Sequence, residues 1–140
     1  MLINPSQKFL LGLCLHVFLI SSQAQVQFQK GYYINEEQVM ITGLIKNLDW
    51  KYNPTSFEFK KSEEAPVVTL SLEKVHEFGI DTNLRYKRYS VLLDTTYFSL
   101  NNPGKNPNPG FKESLLFLKV LVDGEASLYS HISSEGTHYF

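Results

Sequence analysis

The stretch ESLLFLKVLVDGEASLYSH, Glu113–His131, decides the fold class. An apolar run rich in Leu, Val and Phe leads directly into Asp123-Gly124, and a run that alternates apolar and polar residues follows. The periodicity of the apolar run alone fits either a helix or a strand. Asp-Gly between two such runs is the strongest short-range signal of a β-hairpin, so the stretch predicts two paired strands.

Similar patterns recur along the chain. The segment around Phe57 and Phe59 alternates these rings with Glu58 and Lys60, as a half-buried strand does. Gly43 lies inside a strand pattern, which indicates a bulge or a close approach of two backbones. Besides the opening hairpin, the predicted strands are Gly31–Ile34, Val39–Asn47, Ser56–Lys60, Val67–Ser71, Leu84–Asp94 and Thr137–Phe140.

One short helix is predicted at Ser71–Ile80. Ser71 suits the N-cap, Gly79 can end the helix, and Leu72, Val75 and Phe78 would share one face. The predicted fold is therefore mainly β. It is a small antiparallel sheet, as a partly closed barrel or a sandwich, with one short helix and a preceding signal-peptide helix.

The N-terminus has the three parts of a secretory signal peptide. Lys8 supplies the positive charge, Phe9–Ile20 is an apolar run, and Ser22 and Ala24 are the small residues before cleavage. A membrane span needs about 20 apolar residues, more than this run offers. We expect residues 1–24 to be the signal peptide and residues 25–140 to be a single β-rich domain without a membrane span. The expected location is the periplasm, the outer-membrane periphery or the extracellular space.

Composition and motifs argue against several kinds of functional site in the exported domain. The single cysteine, Cys14, leaves with the signal peptide, so no disulfide or thiolate site remains. Twelve basic residues then face 14 acidic ones, a balance that disfavours nucleic-acid binding. His76, His131 and His138 lack the spacing of a zinc motif. No Gly-x-Ser-x-Gly motif occurs. The sequence predicts neither an enzyme nor a cofactor.

The segment NNPGKNPNPG, residues 101–110, invites comparison with a phosphate-binding loop. Asn106 follows Lys105 where such a loop needs Ser or Thr, and three prolines prevent the helix that must follow. Nucleotide binding is therefore not expected. The segment is longer than a hairpin needs, which makes Lys105 a candidate contact residue.

The aromatic residues Trp50 and Tyr52 lie in a connection rather than a strand. They are candidate contact residues for a glycan, a lipid or a peptide, or they fill a small core beneath the loop. The chain ends on Thr137–Phe140. This ending fits either a domain truncated from a longer protein or a short edge strand.

Several stretches together carry a resemblance to a known family: KGYYI, GLIKNLDW, NPTSFEF, EFGI and LFLKVLVDGEASLY. They resemble the N-terminal region of a family of secreted, functionally uncharacterised proteins of Gram-negative bacteria. Longer relatives continue into an outer-membrane β-barrel-like domain, and some are labelled tRNA-modification GTPase, for which this sequence lacks the nucleotide motifs. The resemblance implies a non-enzymatic interaction module of the cell envelope, with an outer-membrane barrel domain or another envelope protein as partner.

Overall fold

The computed structural model describes residues 27–94 and 110–140 of the chain. Within them the chain forms nine strands and no helix, and all the strands join one antiparallel sheet. The strands are β1 Phe28–Asn35, β2 Met40–Lys46, β3 Ser56–Lys60, β4 Val68–Ser71, β5 Val75–Ile80, β6 Leu84–Asp94, β7 Phe111–Val122, β8 Leu128–Ser133 and β9 Gly136–Tyr139. The predicted signal peptide, residues 1–24, and the candidate contact residue Lys105 lie outside the described residues.

The strand order is β4-β3-β2-β1-β5-β6-β7-β8-β9. Strands β1 to β4 form one meander and β5 to β9 form another, and the two join where β1 pairs with β5. The sheet curls into a half-barrel, which confirms the mainly β prediction and agrees with a partly closed barrel. The expected hairpin at Asp123-Gly124 is also confirmed, although its turn extends to Ser127 and β7 carries an irregularity near Val122.

The core lies on the inner face of the curl and is mostly aromatic. Phe78 on β5 is fully buried at its centre. Its ring stacks on Phe57 at 4.2 Å and on Tyr86 at 5.0 Å, and it meets the edge of Phe117 at 5.0 Å. Phe57 and Phe117 come from the two different meanders. Ring packing therefore holds the two halves of the curl together.

The predicted short helix at Ser71–Ile80 is wrong. Residues 72–74 form a turn and Val75–Ile80 is strand β5. Ile34 pairs with Glu77 while its neighbour Asn35 pairs with Val75, so His76 is the extra residue of a β-bulge. The bulge places Val75 and Phe78 on the same face although they are three residues apart, a spacing that also fits a helix.

The loop between β2 and β3 connects the first meander to strands of the second by hydrogen bonds. Asn53 lies between β2 and β3, and its side-chain amide donates to the carbonyls of Phe117 and Ser130 at 2.8 and 2.9 Å. Its Oδ1 accepts from the amide of Ile132 at 3.0 Å, and its own amide donates to the Ile132 carbonyl at 2.9 Å. One side chain thus binds the backbones of both β7 and β8.

Gly43 on β2 marks a close approach, as the sequence predicts. A Cβ atom at this position would lie 2.3 Å from the carbonyl oxygen of Lys60 and 2.4 Å from Cζ of Phe59. The Phe59 ring therefore occupies the space that a side chain at residue 43 would need.

Candidate functional site

A cluster of charged and phenolic side chains lies on the outer face of the sheet. We call Tyr32, Glu77, Arg85, Lys87 and Asp123 the polar cluster. The Tyr32 hydroxyl donates to Glu77 Oε1 at 2.5 Å, and Lys87 Nζ lies 3.8 Å from Glu77 Oε2 and 3.8 Å from Asp123 Oδ2. Arg85 binds Asp123 directly and also approaches Glu77, with Nε 3.9 Å from Oε1.

The electrostatics of the polar cluster follow from these contacts. Burial and the hydrogen bond to Glu77 raise the pKa of Tyr32 to about 12. The Arg85 guanidinium lowers the pKa of Asp123, and the same hydrogen bond raises the pKa of Arg85. Two carboxylates are thus balanced by two cations, and each carboxylate contacts both of them. The cluster ties β1, β5 and β6 to the β7–β8 turn.

A polar hollow of about 390 Å³ lies beside this cluster, between the β5–β6 turn and the end of β7. Tyr32, Arg85 and Asp123 belong to its lining. The sequence did not reveal this arrangement, because Glu77 lies within the segment predicted as a helix, Ser71–Ile80. The available signal was that the cations Arg85 and Lys87 are two residues apart in a predicted strand, which places both on one face of the sheet.

The candidate contact residues Trp50 and Tyr52 differ in their surroundings. The Trp50 ring meets Phe78 at 5.8 Å and Tyr86 at 6.0 Å, both edge to face, so it packs against the core. Tyr52 is 42% exposed, and Lys51 Nζ lies 5.2 Å from the centre of its ring. The two side chains therefore do not form one exposed platform. A ligand contact by either residue stays a prediction.

Strand β9 is one edge of the sheet. It pairs with β8 from Gly136 to Tyr139, and Phe140 continues the pairing through two backbone hydrogen bonds with Tyr129 at 3.0 Å. Tyr139 is 66% exposed and Phe140 is 36% exposed. We call Gly136–Phe140 the docking edge, because no described strand pairs with its outer side.

Two histidines face each other where the docking edge pairs with β8. His131 on β8 is directly opposite His138 on β9. The Nδ1 atom of His131 is buried and has no hydrogen-bond partner among the described residues. Burial lowers the pKa of His131, and the charge of His138 lowers it further.

We expect acid to weaken this part of the sheet. Because the pKa of His131 is lower in the folded chain, the unfolded chain binds more protons between the two pKa values. The stability that neutral His131 contributes is complete above about pH 6.5 and is lost as the pH falls through the folded pKa. Urea unfolding between about pH 7.5 and 5 should therefore show a smaller pH dependence for His131→Gln than for the wild type. Parallel stability curves for the two proteins would contradict this expectation.

An apolar groove of about 410 Å³ opens on the inner face, near the other edge of the sheet. It lies where β3 leaves β2, since β2 pairs with β1 at seven positions but with β3 at only two. The lining residues are Tyr33, Ile41, Phe59, Lys61, Ala65, Pro66, Val68 and Leu70. We call this site the apolar groove.

No group of three or more His, Cys, Asp or Glu side chains in residues 27–94 and 110–140 is arranged to hold a metal ion. Over the same residues, no helix has the length and apolar character to span a membrane. Comparisons of the chain with protein families, with curated proteins and with solved structures found no match.

Proposed function

We propose that this protein is a non-enzymatic interaction module of the bacterial cell envelope, which is exported and pairs its docking edge with a strand of a partner protein. The partner is an outer-membrane barrel domain or another envelope protein. The observation that carries the proposal is an exposed edge strand that ends in two aromatic residues, Tyr139 and Phe140.

The composition of the docking edge supports this role. Natural sheets protect their edges with charged side chains, with proline, with bulges or with a covering element. Strand β9, Gly136–Tyr139, contains no Lys, Arg, Asp, Glu or Pro. The opposite edge strand, β4, lacks these residues as well, but Pro66 comes two positions before it and cannot donate a backbone hydrogen bond. An unprotected edge with exposed aromatic side chains suits the addition of a partner strand.

The polar cluster supports a non-enzymatic role. Glu77 and Asp123 each contact Arg85 and Lys87. A general base or nucleophile needs a reacting atom free to meet a substrate. Carboxylates that are paired with cations across three elements instead suit a surface that holds the sheet in one shape.

A synthetic ten-residue peptide of alternating Val and Thr tests the docking edge. We expect it to slow amide hydrogen exchange within residues 136–140, because a paired strand would cover these backbone groups. A peptide with the same side chains and methylated backbone nitrogens should not do so, since it cannot donate the pairing hydrogen bonds. Equal effects of the two peptides, or no effect of either, would refute strand pairing.

The variant Tyr139→Lys tests the same edge without a peptide. An exposed apolar edge should make the wild-type protein self-associate at high concentration, and a lysine should suppress this association. Light scattering would measure both proteins. Tyr52→Lys is the matched control, because it changes another exposed tyrosine away from the edge. A monomeric wild type, or an equal effect of the two variants, would count against the docking edge.

A further inference from the structure

The apolar groove has the form of a ligand site. It is open to solvent on one side, and its floor consists of inner-face side chains from four strands: Tyr33, Ile41, Phe59, Val68 and Leu70. Its volume of about 410 Å³ lies within the range of small-molecule sites, about 300–1,000 Å³. Phe59 is 5% exposed and meets the Tyr33 ring edge to face at 5.0 Å, so the floor is fixed by core packing.

Charge at the groove is confined to one lining residue. Lys61 is the only charged side chain in the lining. Its Nζ donates to the Thr42 carbonyl at 3.4 Å, and no carboxylate in the described part of the chain forms an ion pair with it. An exposed cation beside an apolar wall can receive an anionic group without displacing a carboxylate of the protein.

These two properties select a chemical class of ligand. A sugar would need several polar partners along its length, whereas seven of the eight lining residues are aliphatic or aromatic. A peptide strand added to β2 would compete with Lys61 for the Thr42 carbonyl. A long apolar chain with a single negative head matches both the wall and the cation.

We propose that the apolar groove binds one monomeric fatty acid, with its carboxylate at Lys61 and its chain along Phe59 and Leu70. This site is separate from the docking edge, which lies at the opposite end of the strand order. The protein would thus carry a long-chain carboxylate in addition to its protein partner.

Calorimetric titration of the full chain with octanoate, decanoate and dodecanoate, each below its micelle concentration, tests the proposal. We expect saturable binding of one molecule per chain, with affinity rising about fourfold for each added methylene group, as burial of that group predicts. Decanol, which has the same chain and no charge, should bind more weakly than decanoate. Equal binding of decanol and decanoate would overturn the role of Lys61, and binding without saturation would overturn the site.

Three variants locate the site. Lys61→Met keeps the length of the side chain and should weaken decanoate binding about two- to fivefold, the range of an exposed ion pair, without changing decanol binding. Lys30→Met is the matched control, because Lys30 is exposed on the outer face. Val68→Glu places a carboxylate in the groove at a residue that is 48% exposed, and should abolish decanoate binding in a folded protein.

The remaining outcomes separate this proposal from the proposed function. Tyr139→Lys should lose strand docking and keep decanoate binding, because the two sites do not share residues. Decanoate binding unchanged by both Lys61→Met and Val68→Glu would place the ligand elsewhere and overturn the proposal. Binding to phosphatidylglycerol vesicles without binding of monomeric decanoate would overturn it as well.

Discussion

Replacing Phe78 with Ala should lower the free energy of unfolding by about 3–5 kcal/mol, the cost of deleting a fully buried ring. Phe78 is 0% exposed and contacts rings from both meanders, with Phe57 at 4.2 Å and Phe117 at 5.0 Å. The cavity would open where the curl is held together, so neighbouring side chains cannot refill it without moving strands. Urea denaturation monitored by Trp50 fluorescence measures the loss.

Phe111→Ala is the matched control for this substitution. Phe111 is 64% exposed at the start of β7, so its removal should change the free energy of unfolding by less than about 0.5 kcal/mol. Equal losses for the two variants would mean that Phe78 is not the centre of the core.

Asn53→Ala should cost about 2–4 kcal/mol, because it removes three side-chain hydrogen bonds and leaves partly buried backbone groups without partners. Hydrogen exchange should show where the loss falls. The amide of Ile132, which donates to Asn53 Oδ1 at 3.0 Å, should exchange faster than the other amides of β8. Asn53→Asp should cost at least as much, since it keeps that acceptor but turns a second carboxylate oxygen towards the carbonyl oxygens of Phe117 and Ser130.

Asn83→Ala controls for the loss of an exposed amide. Asn83 lies in the β5–β6 turn, where its Oδ1 accepts from Thr82 at 3.3 Å, and its removal should cost less than about 0.5 kcal/mol. If Asn53→Ala lowered the free energy of unfolding as little as Asn83→Ala, the hydrogen bonds of Asn53 would not be what stabilises the contact of the loop with β7 and β8.

Sequence patterns predicted the strands well because strand signals are local. The alternation at Ser56–Lys60 and the run at Leu84–Asp94 became β3 and β6 with the same bounds. The helix prediction at Ser71–Ile80 failed because the bulge at His76 imitates helical spacing. It still identified Leu72, Val75 and Phe78 as one buried set, since burial follows from their apolar character in either element.

The sites were harder to predict because they depend on which strands are neighbours. Nothing in the sequence shows that β5 pairs with β1, and this pairing is what brings Glu77 to Tyr32. The apolar groove likewise depends on the point where β3 leaves β2. The strand predicted at Thr137–Phe140 is found as β9, Gly136–Tyr139, but its residues left open whether it is an edge strand or the start of a longer sheet.

The pairing of β1 with β5 also bears on how the chain assembles. Most neighbouring strands are consecutive in sequence, so they can pair once the short loop between them closes. The seam between β1 and β5 instead joins residues such as Tyr32 and Glu77, which are 45 positions apart. Contacts between distant positions form slowly, because a long loop must close before they contribute. We expect each meander to form early and the pairing of β1 with β5 to be the rate-limiting step in closing the half-barrel.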